Sequence, residues 1–465
     1  MHDRPVPRLR LLRGRRGLSA STAALDYDDA VAALRSRGRF GISLGLARIE
    51  ALLDELGNPQ RGLRGALVGG TNGKGSVVAL ARSALQEAGL RIGTMPKPHL
   101  VSYRERIAID GEPISREEFA AAIAAVMPAI DRVTDRLGPP TEFEALTAAA
   151  FQHLGEAGID LALVEVGLGG RLDATNVLDA GVAAITNVQH DHEKLLGSTL
   201  AAIGAEKAAI IKPGNLAATG AGGRGLAPIL VRCVEVGAVL RRAGPRQEYH
   251  ATLRHAGWDG IVVDATRPAG PLADLRVGLL GGHQAANAAV ALALLDAVAE
   301  DAERSGIRLA LDEKAIRRGF AAARWPGRLE LLRATSVGPV LLDGAHNPAG
   351  ARALARALGE LGMRRFPLVF GAMRGKRVSA VLHALAPLDP QPVFTRVQDL
   401  GAMPPEALLG RWRRIGSGGR TSSTPRGALH TASELRTASD QPVVVAGSLY
   451  LVGAVRGMLR GEEDA

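Results

Sequence analysis

The sequence is poor in three residue types, and each scarcity excludes something. It has one cysteine, Cys233, in 465 residues, so no intramolecular disulfide can form and no cysteine-based metal spacing exists. A lone thiol suits a reducing cytosol, and a cytoplasmic protein is expected. Cys233 has no Cys or His at ligand spacing beside it and reads as a core residue. Aromatic residues make up 3% of the chain. No basic strip is studded with aromatics of the kind that stacks single-stranded nucleic acid, so no nucleic-acid partner is expected. No apolar run approaches the ~20 residues of a membrane span, so no membrane partner is expected either.

Lysine is the third scarcity. Of the 57 basic residues only seven are lysine, at positions 74, 97, 194, 207, 212, 314 and 376, and the other 50 are arginine. In a chain with this bias a retained lysine marks a position where a compact primary amine is required. A guanidinium cannot act as a point charge or be carbamylated. Lys74 meets that test, and Lys207 is the next candidate. Much of the net charge of +10 comes from Arg4, Arg8, Arg10, Arg13, Arg15 and Arg16. That segment lacks the apolar core of a secretory signal and reads as a disordered basic tail over residues 1–23. The remaining basic balance fits acidic small substrates.

What is present centres on Gly69-Gly70-Thr71-Asn72-Gly73-Lys74-Gly75-Ser76, directly after the apolar run Ala66-Leu67-Val68. A strand enters a glycine-rich turn, and Val77 to Leu90 reads as a helix. Glycines let backbone N–H groups close on phosphate oxygens, the helix N-terminus adds its dipole, and a lysine reaches the β/γ-phosphates. The hydroxyl of Ser76 can ligate Mg²⁺. Gly75 is inserted between lysine and serine, which departs from the common G-x-x-x-x-G-K-[ST] spacing and points to a narrower family. Nucleotide binding is the expectation.

From Tyr27 to about Trp325, short apolar strands alternate with longer amphipathic helices, the rhythm of a parallel α/β sheet. Leu161 to Val166 reads as a buried strand ending at Glu165. Val182 to Asn187 reads as a second, ending near Asp191 and His192. Open α/β sheets bind ligands at these strand ends, and a carboxylate in a buried strand requires a cationic partner or a metal. Ser76, Glu165 and His192 therefore form a candidate hard-cation site. Gly214 to Leu226 reads as a glycine-rich loop, and Gln247 to Val277 as a β-rich excursion. A second α/β pattern begins after Arg328, with strands at Val340–Leu342, Pro367–Phe370 and Val443–Ala446, and Arg413 to Arg426 reads as a mobile surface loop. The residue pattern around Glu206 and Lys207 reads on its own as a pair on a helix face. Asp343-Gly344-Ala345-His346-Asn347-Pro348 reads either as a nucleotide contact from the second domain or as a helix-start turn with N-capping. Gly167-x-Gly169-Gly170 has Leu172 where a dinucleotide fingerprint needs its third glycine, so a nicotinamide site is excluded.

Taken in order, these segments resemble folylpolyglutamate synthase/dihydrofolate synthase, a branch of the Mur ligase family. The resemblance runs from about Phe40 to the C-terminus. Beyond the loop at Gly70–Ser76 it is carried by Pro98-His99-Leu100, Arg104-Glu105-Arg106-Ile107, Thr141-x-Phe143-Glu144, Glu165 to Asn176, Asp191-His192 and Glu206-Lys207-Ala208. It continues in His283-Gln284-x-x-Asn287-Ala288, Trp325-Pro326-Gly327-Arg328, Asp343 to Pro348 and Gly447-Ser448-Leu449-Tyr450. It implies an α/β architecture in two parts. A P-loop-type, mostly parallel N-terminal domain (24–327) would carry helices on both faces, followed by a smaller Rossmann-like C-terminal domain (328–465). It implies ATP bound by Asn72, Gly73, Lys74, Gly75, Ser76, Asn287, Arg328 and Asp343. It also implies two Mg²⁺ ions held by Ser76, Glu165, His192 and a carbamylated Lys207. Lys74, Lys207 and His346 are the implied catalytic residues. The implied reaction joins L-glutamate to a pteroate or folate, in a monomer, through an acyl phosphate. A paralogue acting on another carboxylate and an inactive ATP-binding relative stand as alternatives. Three departures belong to this chain: Lys97 replaces a serine that the family places beside the first Mg²⁺, the acidic residues expected around Lys376 are missing, and the Pro-Arg-Ala segment usual in the C-terminal domain is not evident near Thr395-Arg396. A cation at 97 is expected either to repel the metal or to substitute in part for its charge.

Overall fold

In the computed structural model, residues 25–38, 45–397, 399 and 401–462 are described. The basic segment 1–23 lies outside them. Among the described residues the strands form three sheets. The first has the order β4-β3-β2-β5-β1-β6-β7-β8. In chain order its strands are β1 (Gly65–Gly69), β2 (Ile92–Met95), β3 (Ala108–Ile109), β4 (Glu112–Pro113), β5 (Leu161–Glu165), β6 (Gly181–Ile185), β7 (Leu216–Thr219) and β8 (Val239–Arg242). Only the short β3 and β4 pair antiparallel. The central β1 and β5 are buried at every residue, which explains their unbroken apolar runs in place of an alternating pattern.

Helices cover both faces. The helix Lys74–Glu87 packs with the long helix Gln284–Arg304 on one face. Arg116–Leu137 and Glu142–Glu156, each started by a capping box from Ser115 and Thr141, lie on the other. These caps satisfy N–H groups that a helix start leaves without intrahelical partners. The β-rich excursion is a three-stranded antiparallel sheet, β9 (His250–Gly257), β10 (Gly260–Thr266) and β11 (Leu272–Val277).

From residue 330 onward a separate sheet runs β12-β13-β17-β14-β15-β16. Its strands are β12 (Glu330–Leu332), β13 (Val340–Leu342), β14 (Pro367–Phe370), β15 (Gln391–Thr395), β16 (Arg420–Ser422) and β17 (Val443–Ala446), parallel except for β12. It has its own apolar clusters on both faces. The α/β class, with mostly parallel sheets, is that expected from the sequence.

Two loop assignments are corrected. Gly214–Leu226 contains β7, an interior strand whose Ala217 and Ala218 carry little strand propensity but whose ladder partners lie on both sides. Arg413–Arg426 contains β16 and the first two residues of the helix Pro425–Glu434, so polar composition hid an edge strand paired to β15. The helix after the phosphate loop also starts earlier than expected, at Lys74.

Candidate active site between two sheets

The C-terminal ends of the parallel strands in the two large sheets line one cavity of about 700 Å³, a size suited to a nucleotide or cofactor. From the first sheet come the loop after β1, Lys97 after β2, Glu165 at the end of β5, and Asn187 to His192 after β6. From the second come Asp343–Asn347 after β13, Met373 and Lys376 after β14, and Gly447–Tyr450 after β17. All twelve site residues expected from the sequence line this cavity: Asn72, Gly73, Lys74, Gly75, Ser76, Glu165, His192, Lys207, Asn287, Arg328, Asp343 and His346.

The phosphate loop is held from outside. Asn72 donates its backbone N–H to Asn187 Oδ1 at 3.1 Å and its side-chain amide to Gln189 Oε1 at 2.7 Å, while Asn187 Nδ2 and Thr186 Oγ1 donate to Asn72 O. Gly73 enters the helix with φ +83°, and a side chain there would meet Asn287. The extra glycine of this loop has a steric reason: a Cβ on Gly75 would collide with the indole of Trp325.

Two lysines converge on one carbonyl. Lys74 Nζ donates to Gly70 O at 3.2 Å and Lys207 Nζ to the same oxygen at 3.1 Å. Glu206 and Lys207 are not a helix-face pair: Glu206 turns to Arg171 at 2.7 Å, whereas Lys207 is 4% exposed. Burial, with Lys74 beside it, pulls the Lys207 amine down to about 7. A substantial fraction is therefore uncharged near neutral pH, the form that reacts with CO₂.

Glu165 is 5% exposed, and burial raises its pKa against the opposing pull of Lys74. Its Oε1 lies 3.8 Å from Lys74 Nζ, and Oε2 accepts the Lys97 backbone N–H at 3.2 Å. Among the described residues no three His, Cys, Asp or Glu side chains gather as a metal centre. Of the expected cation-site residues, Ser76 and Glu165 are buried, and His192 also lines the cavity.

The turn after β13 is a helix-start turn with N-capping, as one of its two sequence readings had it, and it also faces the cavity. Asn347 caps the helix Pro348–Glu360 through Gly350 N, and the turn lines the cavity. Asp343 accepts N–H groups from Ala345 and Leu329, with burial raising its pKa against the pull of Arg328. His346 Nδ1 lies 2.9 Å from Gly344 O. A carbonyl only accepts, so Nδ1 carries the proton and Nε2 presents its lone pair. Burial, reinforced by Lys376, holds this imidazole down near 4.

Sequence reasoning named Asp191, Asn347 and Lys376 but missed the contacts by which they join the two sheets. Asp191 Oδ1 pairs with Lys376 Nζ at 3.3 Å, and its Oδ2 accepts from Asn347 Nδ2 at 3.0 Å. Asn347 also reaches Asn72 Oδ1 at 3.2 Å.

The Bacillus subtilis protein named dihydrofolate synthase/folylpolyglutamate synthase is 34% identical over 460 residues, covering 93% of this chain and 99% of that one. The chain belongs to the dihydrofolate synthase/folylpolyglutamate synthase family. Residues 330–460 match the family model described as "Dihydrofolate synthetase, C-terminal domain". The fold is similar to that of a Mycobacterium tuberculosis folylpolyglutamate synthase complexed with ADP, with TM-score 0.84, 35% identity and coverage of 93% of this chain and 99% of that chain. It is also similar to Escherichia coli FolC in complex with DHPP and ADP, with TM-score 0.81, 28% identity and coverage of 95% and 99%. Members of this family are ligases that form C–N bonds, and the present chain is one of them. Among its described residues no helix is long and apolar enough to cross a membrane.

Proposed function

We propose that this protein adds L-glutamate to dihydropteroate, tetrahydrofolate or both, using ATP and an acyl phosphate intermediate. The observation that carries this reading is the meeting of the phosphate loop, Glu165 and the Asp343–His346 turn in one cavity. We assign residues 24–327 to the ATP-binding domain and 328–465 to the C-terminal domain, with the cleft between them as the site. A monomer in the cytoplasm, acting on small molecules without nucleic acid, completes the proposal.

The residues divide the work by position. The loop from Asn72 to Ser76 and the helix behind it would bind the β- and γ-phosphates. Asn287, Arg328 and Asp343 would hold the nucleotide from the other walls. The acceptor carboxylate attacks the γ-phosphorus, the bond to the bridging oxygen of ADP breaks, and an acyl phosphate forms. The α-amine of glutamate then attacks the acyl carbon, phosphate leaves, and an amide remains. Lys74 and Arg328 would offset the charge on the transferred phosphoryl group. His346 Nε2 would accept the proton that the attacking amine loses.

Ser76, Glu165 and His192, with Lys207 as its carbamate, fit a pair of hard cations. The oxygen-rich donors suit Mg²⁺, which when bound would neutralise phosphate charge. As a carbamate, Lys207 would turn a cation beside Lys74 into an anion and reverse the repulsion between the two. The test is Lys207→Arg. Binding of AMPPCP should persist while ligation falls by about 10²-fold or more, and retained ligation would refute the carbamate role.

A further inference from the structure

One cleft lysine remains without a task. The Lys97 backbone is fixed by its N–H bond to Glu165, and the residue is part of the cavity lining. The ammonium rests on an aromatic face, 3.6 Å from the ring centroid of Phe143. It also lies over Gly167, where any Cβ would collide with Nζ.

This ammonium lacks a counter-ion at contact distance. Among the described residues no carboxylate oxygen lies within the 4.0 Å limit of an ion pair with Nζ. Asp173 contributes a favourable field, but its oxygens are already engaged: Oδ1 accepts from Thr175 N and Oγ1, and Oδ2 from Leu168 N at 2.7 Å. Glu165 is shared between Lys74 and the Lys97 backbone. A ring face compensates only part of what an ammonium loses on leaving water. The position therefore calls for an anion supplied by a ligand.

Two anions enter this cleft in the proposed reaction. The phosphates have their own donors in the loop at Gly73–Ser76 and in Lys74. The acceptor carboxylate has none assigned, and Lys97 lies beside Glu165 in the cavity that the phosphate loop also lines. We propose that Lys97 Nζ pairs with the reacting carboxylate of the acceptor and thereby selects acceptors that present an anionic carboxylate beside Phe143. This inference rests on the ligase reading above. Lys97 orients the attacking oxygen and forms no bond to it, with its own backbone anchored to Glu165 and its amine steadied by Phe143.

The test uses the full-length protein with AMPPCP and a pair of ligands, dihydropteroate and its carboxamide counterpart. Dissociation constants are read by calorimetry for wild type and Lys97→Met. Wild type should bind the carboxylate at least about tenfold more tightly than the amide, and Lys97→Met should reduce that preference to within about twofold with AMPPCP affinity retained. A preference that persists in Lys97→Met, or is absent from wild type, would overturn the assignment. If Lys97→Met fails to bind AMPPCP, Lys97→Gln replaces it and is read in the same way. Turnover separates the two claims. A wild type that forms no glutamyl product removes the ligase reading and this inference with it, whereas an active wild type whose variant keeps the preference removes only the role of Lys97.

Discussion

Asp191 and Lys376 face each other across the cleft at 3.3 Å, one from the loop after β6 and the other from the loop after β14. Burial alone would raise the Asp191 pKa. The Lys376 charge, the neighbouring His192 and the Asn347 hydrogen bond reverse that and bring it to about 2. The carboxylate stays ionised at any physiological pH, and the link between the two sheets stays intact. The same aspartate takes Asn347, which in turn touches Asn72 in the phosphate loop. The contact between the two sheets and the phosphate loop thus form one connected set of polar contacts.

Lys376→Met should therefore reduce kcat/KM by about tenfold while shifting the unfolding free energy by no more than about 1 kcal/mol, because partly exposed ion pairs add little to stability. Steady-state kinetics and urea titration read the two quantities separately. An unchanged kcat/KM would show that the pair does not position the site.

Gly75 and Trp325 make a steric prediction. Gly75→Ala should weaken AMPPCP binding or cost about 1–3 kcal/mol of stability, since the added methyl meets an indole ring. The double variant with Trp325→Ala should recover part of that loss. Additive losses in the cycle would mean that the ring is not the cause.

Lys207 gives a pH signature. Its amine titrates near 10.5 in the unfolded chain and near 7 in the fold. Between these values the unfolded state binds more protons, so stability rises with pH across the window and the burial penalty is complete below pH 7. Lys207→Met should be more stable than wild type at pH 7, by roughly 1–3 kcal/mol, with the difference shrinking toward pH 10. Chemical unfolding at four pH values in CO₂-free buffer, where the amine carries no carbamate, measures it, and a pH-independent difference would contradict the assigned shift.

His346 should act as a neutral imidazole. Its pKa near 4 puts the acid limb that it contributes to kcat near pH 4, well below the 6.5 of an ordinary histidine. His346→Gln should lower kcat by about 10²-fold with AMPPCP affinity retained. Loss of nucleotide binding in that variant would assign the ring to ATP instead.

What could be read from the sequence was local. The Gly70–Ser76 loop, Glu165 at a strand end and the Asp343–Pro348 turn each keep their chemistry within one contiguous stretch, and the scarcity of lysine drew attention to Lys74 and Lys207. What could not be read depends on distant packing. Trp325 explains Gly75 from 250 positions away in the chain, and the bridges from Asp191 to Asn347 and Lys376 join loops of different sheets. β7 and β16 went unread because alanine, serine and threonine runs become strands only when a neighbouring strand offers its ladder. Lys207 looked like a surface residue because a helix pattern shows which face is apolar, but not what that face meets.

The most direct measurement is mass spectrometry of the products formed from ATP, Mg²⁺ and L-glutamate, with dihydropteroate and tetrahydrofolate supplied in parallel. The account predicts a product heavier by one glutamyl unit with at least one of them, formed together with ADP and phosphate. Absence of a glutamylated product from both, in a protein that still binds ATP, would contradict it.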